Sequence, residues 1–317
     1  MMKVFAFSAV LLASIASAAE QPTELKTPTG TIHGTLLVPD TAKPPMPIVL
    51  LIAGSGPTDR NGNSAALPGR NDSLKMLAEG LAAKGIASLR YDKRGIAESR
   101  SAMTAEKNLR FETYIDDAVA WAKRLKKDPR FSKVVVVGHS EGALIGAVAA
   151  QKSGAAGYVS IAGLARPADL VIRGQLMGKL PPDLRETSDK ILEALKYGNT
   201  IDDVPPSLAA LYRPSVQPYL ISWFRYDPLE QVKKLTIPVL IVQGTTDIQV
   251  SVDDARALAA AKPEAKLEII EGMNHVMKKV EMDQGKQVAS YGDPSLPVDP
   301  RLVDAIVGFV LDVAARR

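Results

Sequence analysis

The sequence predicts an α/β protein with a mostly parallel central β-sheet, flanked by helices and interrupted by one helical insertion. Short apolar runs alternate with runs of helical periodicity from residue 30 to about residue 163, and this alternation produces parallel strands joined by helices. It stops in residues 165–235, where prolines separate short amphipathic segments, and then resumes. The chain therefore divides into a core in two parts, 20–164 and 236–317, and a helical cap, 165–235.

The individual elements follow from the spacing of the apolar residues. Residues 24–26 and 30–38 should pair as an antiparallel hairpin at one edge of the sheet. Five core helices present an apolar face at helical spacing: residues 72–84, 112–126, 141–152, 252–261 and 301–315. Four shorter helices should build the cap: residues 170–180, 182–197, 206–212 and 215–224.

The strongest chemical signal is a serine on a tight turn between a strand and a helix. Four consecutive valines, residues 134–137, run into a Gly-x-Ser-x-Gly sequence centred on Ser140, and small apolar residues follow. The valines predict a buried parallel strand, and the residues after the turn predict a buried helix. Gly138 and Gly142 leave room for a turn that lifts the hydroxyl above the sheet. We therefore interpret Ser140 as a nucleophile.

A serine nucleophile needs a general base, and the chain has only three histidines. His139 adjoins Ser140, so its side chain must point away from that serine and should pack or hydrogen-bond beneath the turn. His33 lies in an alternating early strand and should be a half-exposed strand residue. His275 follows the strand-like residues 266–270, at the end of the strand where an α/β sheet places its catalytic loops. This elimination selects His275 as the base.

The base in turn needs an acid that orients its ring. Asp247 lies in the loop after a buried strand that breaks at Gly244, which is a favourable position for this acid. Asp253 and Asp254 are close in sequence, but they fit better at the start of the next helix, where exposed amides and the helix dipole favour carboxylates. We expect Asp247 to be the acid.

In these three residues and in two further motifs, the chain resembles the α/β-hydrolase superfamily. The order Ser140, Asp247, His275 is the chain order of that superfamily's catalytic triad. Residues 92–95 are similar to the Asp-x-Arg-Gly turn that members carry after the corresponding strand, and residues 48–62 are similar to a strand and its oxyanion loop. Many relatives have a histidine before the first glycine of this loop, where this chain has alanine. The resemblance implies an α/β-hydrolase fold.

The resemblance also implies an oxyanion hole built from the backbone N–H groups of Ser55 and Glu141. A phosphate-binding loop is a second interpretation of these glycines. The loop, however, lacks both the Gly-Lys-Ser/Thr ending of a P-loop and the full Gly-x-Gly-x-x-Gly spacing of a dinucleotide-binding site. We expect no cofactor and no metal.

Two roles stay open for Arg60, which would either pair with Asp59 to hold the loop or meet an anionic part of the substrate. Glu141 would be either a carboxylate favoured at the helix start or a group that repels anionic substrates.

Bulky apolar side chains in the cap are candidates for lining a substrate pocket. We single out Met177, Trp223 and Phe224, which would contact an acyl or alcohol group. The alternative is that they only seal the cap onto the core. Residues 222–228 are similar to the segment that leaves the cap in bacterial esterase-like members of the superfamily.

The amino terminus has the pattern of a secretory signal peptide. Residues 1–3 are a short basic start, residues 4–15 are apolar but too few to span a bilayer, and residues 16–18 are small. We expect cleavage after Ala18 or Ala19, and hence a periplasmic or secreted protein. Absence of cysteine excludes disulfides and a bacterial lipid anchor. The net charge of +4 is scattered along the chain, so we expect neither nucleic-acid binding nor membrane insertion.

These observations favour a serine hydrolase that cleaves carboxylic esters of small or medium size through an acyl-enzyme, with a small-molecule ester as its partner. An exopeptidase or amidase would use the same residues on a different bond. A non-catalytic binding protein would use the fold alone, and retention of all the expected catalytic positions argues against it.

Overall fold

The computed structural model describes residues 18–316, so the predicted signal peptide lies almost entirely outside the described residues. One eight-stranded sheet forms the centre. The strands are β1 Ala18–Thr27, β2 Gly30–Pro39, β3 Met46–Ile52, β4 Ala87–Tyr91, β5 Phe131–His139, β6 Gly157–Ile161, β7 Val239–Gly244 and β8 Lys266–Ile270. Their order in the sheet is β1-β2-β4-β3-β5-β6-β7-β8. The strands β1 and β2 form the predicted antiparallel hairpin, β2 also runs antiparallel to β4, and all other neighbours are parallel.

The helices cover both faces of this sheet. They are α1 Ser73–Ala83, α2 Phe111–Lys127, α3 Glu141–Ser153, α4 Ala168–Leu176, α5 Pro182–Lys196, α6 Ala209–Tyr212, α7 Gln217–Phe224, α8 Pro228–Lys233, α9 Val252–Ala261, α10 Gln284–Ser290 and α11 Pro300–Ala315. All five predicted core helices form, each with ends within one residue of the expected position. Short 3₁₀ turns add Ala97–Ala102, Glu106–Asn108 and Pro206–Leu208.

The central strands are apolar on both sides because each side packs against a separate layer of helices. In β5, Val134 and Val136 face the core layer that contains α2 and α3. Val135 and Val137 face the opposite layer, which α1 and α11 complete. A strand buried on both faces has no polar side to alternate with, which explains the unbroken valine run.

Five α-helices, α4 to α8, lie between β6 and β7, where the sequence predicts the helical cap. Three of the four predicted cap helices start or end close to the expected residues. Helix α4 ends at Leu176, four residues earlier than predicted, because Met177 is extended and Gly178 turns the chain with a φ of +80°. Apolar periodicity did not predict two helices, α8 and α10. The side chain of Asp227 caps α8.

The parallel strands place their carboxyl ends, and the loops that follow, along one edge of the sheet. The loops after β3, β4, β5, β7 and β8 all open at this edge. In open α/β sheets this edge is the usual position of a binding crevice. Within residues 18–316, no helix combines the length and apolar character required to cross a bilayer.

Candidate active site

Ser140 occupies a strained turn between β5 and α3. Its backbone has φ 55° and ψ −122°, which is unusual for a residue with a side chain. A Cβ atom at position 138 would lie 2.0 Å from the carbonyl oxygen of Gly142, and one at position 142 would lie 2.4 Å from that of Ile52. Only glycine fits at either position, so the two glycines of the motif permit the turn that presents the Ser140 side chain at the edge of the sheet.

His275 and Asp247 form a hydrogen-bonded pair at the same edge. His275 Nδ1 lies 2.8 Å from Asp247 Oδ2, and the two side chains are 6% and 1% exposed. The other carboxylate oxygen accepts the backbone N–H groups of Gln249 at 2.7 Å and Val250 at 2.9 Å. Burial raises the pKa of Asp247, but the His275 ring and these two N–H donors outweigh it, and the net pKa is lowered. Asp247 is therefore an ionised acceptor that holds the imidazole in one orientation.

His139 lies beneath the turn, as its position next to Ser140 predicts. Its Nε2 lies 2.8 Å from the backbone carbonyl of His275, and the two rings are 4.8 Å apart. Burial, and then the nearby His275 ring, lower the pKa of His139 to about 3. The ring is therefore neutral, and because a carbonyl only accepts, Nε2 carries the proton. This bond connects the loop of His275 to the end of β5, next to Ser140.

Ser140 itself is half-buried, and its hydroxyl makes no hydrogen bond with any residue in the range 18–316. Contacts between a nucleophile and its base are often loose in a ligand-free site and tighten when substrate binds.

The third histidine, His33, also lies where the sequence predicts, in β2 with its side chain 30% exposed.

The loop after β3 approaches Ser140 closely. A Cβ atom on Gly54 would lie 3.2 Å from the Ser140 Cβ, which is tighter than an ordinary van der Waals contact, so a side chain here would crowd this approach. The next residue, Ser55, is exposed, and Glu141 is the first residue of α3. In the described part of the chain, the backbone N–H groups of Ser55 and Glu141 donate to no backbone acceptor. Both amides are thus free to bind an oxygen of a ligand, as an oxyanion hole requires.

Arg60 holds this loop, but through a partner other than the expected one. Its guanidinium donates to Asp92 Oδ2 at 2.9 Å and also contacts Glu98, and its backbone N–H donates to Asp92 Oδ1 at 2.8 Å. Asp59 accepts instead from the backbone N–H groups of Asn61 and Asn63. The expected Asp59–Arg60 pair is therefore wrong, because the buried carboxylate of Asp92 offers both oxygens to Arg60.

Glu141 is buried and paired with Lys93. The Lys93 Nζ donates to Glu141 Oε2 at 2.8 Å, and the hydroxyl of Tyr219 in α7 donates to Glu141 Oε1 at 2.5 Å. The two charged side chains are 1% and 3% exposed. Neither role considered for Glu141 from the sequence includes this pair. The sequence signal for it is that Lys93 follows β4, whose carboxyl end lies at the same edge of the sheet as Ser140. Pairing with Lys93 offsets the negative charge of Glu141, which argues against the role of repelling anionic substrates.

A cavity of about 630 Å³ adjoins the oxyanion loop. Ser55 and Glu141 line it from the core. The insertion contributes a mainly apolar wall: Ile172, Leu211, Val216, Tyr219, Leu220 and Trp223. This volume lies within the range of small-molecule binding pockets.

The three pocket candidates from the sequence have different positions. Trp223 lines the cavity and stacks on Phe111, with ring centroids 5.9 Å apart. Phe224 is partly buried, packs against the main hydrophobic core and does not line this cavity. Met177 does not line it either, and 64% of Met177 is exposed, because α4 ends before it.

The two aspartates that compete with Asp247 lie at the start of α9, as expected. Asp254 accepts from the Ser251 side chain in a capping box and pairs with Arg166. Asp253 is 85% exposed and pairs with Arg256 one turn along the helix. Both have structural partners that do not include His275.

The fold and this site define an α/β-hydrolase. A family model described as the alpha/beta hydrolase family matches residues 49–290, more than half of the chain, and the chain belongs to this family. It is 34% identical over 277 residues to Esterase EstD of Thermotoga maritima. The matched region covers 84% of this chain and 62% of that protein, so the chain spans less than two thirds of that relative.

Solved structures with the same fold include proteins named as esterases and proteins named as peptidases. Est1E from Butyrivibrio proteoclasticus superimposes with a TM-score of 0.62 and 19% identity, over 93% of this chain and 99% of that chain. A Mycobacterium tuberculosis puromycin-hydrolyzing peptidase gives a TM-score of 0.60 and 17% identity, over 97% of this chain and 42% of that chain. At these identities the similarity shows the shared fold alone, so any activity must be argued from the site.

Proposed function

We propose that this protein is a serine carboxylesterase that hydrolyses small or medium-sized esters through an acyl-enzyme. The observation that carries the proposal is the convergence of a strained serine turn, a buried Asp–His pair and two free backbone amides at one edge of the sheet. The 34% identity to an esterase supports the choice of ester over amide.

In the proposed mechanism, Ser140 Oγ attacks the acyl carbon of the ester while its proton passes to His275 Nε2. The carbonyl oxygen becomes an oxyanion, which the N–H groups of Ser55 and Glu141 stabilise. The intermediate then expels the alcohol, which takes the proton from His275, and an acyl group remains on Ser140. Water attacks this acyl-enzyme by the same route and releases the acid. Asp247 keeps its charge throughout and fixes the tautomer and orientation of His275.

The cavity supports a substrate with an apolar acyl or alcohol group. Its wall from the insertion is mainly apolar, and its lining carboxylates, Glu106 and Glu141, pair with Arg213 and Lys93. A volume of about 630 Å³ accommodates a small or medium-sized group but not a large polymer.

The experiment that tests this proposal is a turnover screen of p-nitrophenyl esters of increasing acyl length, run beside aminoacyl-p-nitroanilides. We expect turnover of the esters and none of the anilides. Anilide turnover at a comparable kcat/KM would select the peptidase alternative, and absence of both activities would favour a binding protein.

We further propose that the protein is exported after cleavage behind Ala18 or Ala19. Glu20, the first residue after the later site, pairs with the buried Arg90 of β4 at 2.5 Å, so either cleavage would preserve this contact. Amino-terminal sequencing of protein from the periplasm or medium of an expressing bacterium tests this proposal. A cytoplasmic protein that retains Met1 or Met2 would contradict it.

A further inference from the structure

Lys93 connects the two segments that carry the proposed oxyanion donors. Its Nζ donates to the carbonyl oxygen of Gly54 at 2.6 Å and to Glu141 Oε2 at 2.8 Å. Gly54 precedes Ser55, and Glu141 supplies the second donor. One buried ammonium group therefore bonds to the loop after β3 and to the first turn of α3 at the same time.

The bond to Gly54 acts on the peptide group that contains the N–H of Ser55. A trans peptide is planar, with its C=O and N–H pointing in opposite directions, so fixing the oxygen also fixes the direction of the N–H. An amide whose oxygen accepts a hydrogen bond is polarised, and its N–H becomes a stronger donor. Ser55 is exposed on a loop, and the Lys93 contact restrains it from the buried side.

The bond to Glu141 acts through charge. The Glu141 carboxylate belongs to the residue that donates the second N–H, and an unpaired carboxylate there would disfavour a developing oxyanion. Because both side chains are almost fully buried, their interaction is weakly screened. The Tyr114 ring, whose centroid is 4.9 Å from Lys93 Nζ, and the Tyr219 hydroxyl complete the surroundings of the pair.

We propose that Lys93 is a positioning residue that orients the Ser55 N–H through Gly54 and neutralises Glu141, so that both donors are set for the oxyanion before substrate arrives. This inference rests on the proposed esterase function. It predicts that loss of Lys93 lowers stabilisation of the transition state and affects substrate affinity little.

The test measures kcat, KM and affinity for a trifluoromethyl ketone, whose carbonyl carbon is attacked by the nucleophile so that the carbonyl oxygen becomes a stable oxyanion. For Lys93→Met we expect kcat to fall about 10- to 100-fold and the ketone to bind more weakly by a similar factor, with KM within about threefold. Turnover is expressed per titrated active site, so that unfolded protein does not lower kcat.

A second variant separates positioning from charge. Lys93→Met/Glu141→Gln removes both charges, so its melting temperature should exceed that of Lys93→Met. The Gly54 oxygen still lacks its donor, and we expect kcat to remain about tenfold or more below that of the unaltered protein. Asp117→Asn is the matched control. It breaks the buried ion pair between Asp117 and Arg94, the residue that follows Lys93. Asp117 does not line the cavity of about 630 Å³ beside the oxyanion loop.

Asp117→Asn should lower the melting temperature and leave kcat and ketone affinity within about twofold. The proposal is overturned if the double variant has the kcat and ketone affinity of the unaltered protein, or if Asp117→Asn loses as much of both as Lys93→Met. If the unaltered protein neither hydrolyses esters nor reacts with the ketone, the proposed function fails instead, before Lys93 is tested.

Discussion

Replacement of Asp247 by asparagine tests the proposed role of the acid in atomic terms. The Asp247 Oδ1 accepts two backbone N–H groups, so an asparagine oxygen will take that position and its NH₂ group will face His275. The NH₂ group donates, and His275 Nδ1 must then accept, which moves the ring proton to Nε2. In this tautomer His275 cannot take a proton from Ser140.

The expected loss follows from this tautomer change. In a triad of this type the same substitution lowers kcat by roughly 10⁴-fold, which corresponds to about 5 kcal/mol of transition-state stabilisation. The new NH₂ group also faces Gln243 Nε2, which donates to Asp247 at 3.1 Å, and the lost hydrogen bond should lower the free energy of unfolding by about 1–3 kcal/mol. The measurements are ester turnover at 25 °C and the melting temperature, with KM expected to stay nearly constant.

Asp253→Asn is the control, because Asp253 is exposed at the start of α9 and pairs with Arg256. It should change the free energy of unfolding by about 1 kcal/mol or less and leave kcat unchanged. If Asp247→Asn kept a tenth or more of the turnover, or if the two variants exchanged behaviours, the assignment of the acid would be refuted.

Two further substitutions probe the cavity and the buried histidine. Trp223→Ala enlarges the cavity and should shift preference toward longer acyl chains by about tenfold or less per carbon, with a loss of about 3–5 kcal/mol in stability. Trp121→Ala, which removes the other tryptophan, should destabilise without changing chain preference, and an equal drop for all esters in both variants would make Trp223 a packing residue only. Because the pKa of His139 is about 3 in the folded protein, its stabilising contribution is complete above the unfolded pKa of about 6.5 and is lost as the pH falls. Between pH 7.5 and pH 5, the free energy of unfolding measured with denaturant should thus fall by about 2 kcal/mol more in the unaltered protein than in His139→Gln. Parallel pH profiles of the two proteins would contradict this pKa.

The fold was predictable from the sequence because its strongest patterns have direct physical causes. Valines 134–137 fill both faces of a central strand, and the helix after Ser140 is apolar because it is buried. The elimination among three histidines rests on position: His275 follows β8, whereas His33 lies inside β2 and His139 ends β5 beneath the serine turn. The hydrogen bond between His275 and Asp247 agrees with that interpretation.

The contacts between distant segments could not be predicted in the same way. The pairing of Lys93 with Glu141, and of Arg60 with Asp92 rather than Asp59, depends on how the loops after β3 and β4 pack against α3. Met177 follows the apolar pattern of α4, but the left-handed turn at Gly178 ends the helix and exposes it. Local periodicity describes one element, whereas the pairs of Lys93 and Arg60 are decided by a second element distant in sequence.

Covalent labelling identifies the nucleophile, which we propose to be Ser140. The protein is treated with a fluorophosphonate and digested, and the modified peptide is identified by mass spectrometry. We expect one label, on Ser140, and neither label nor ester turnover in a folded Ser140→Ala variant. Equal labelling of that variant at another serine, or its retention of full turnover, would contradict the account.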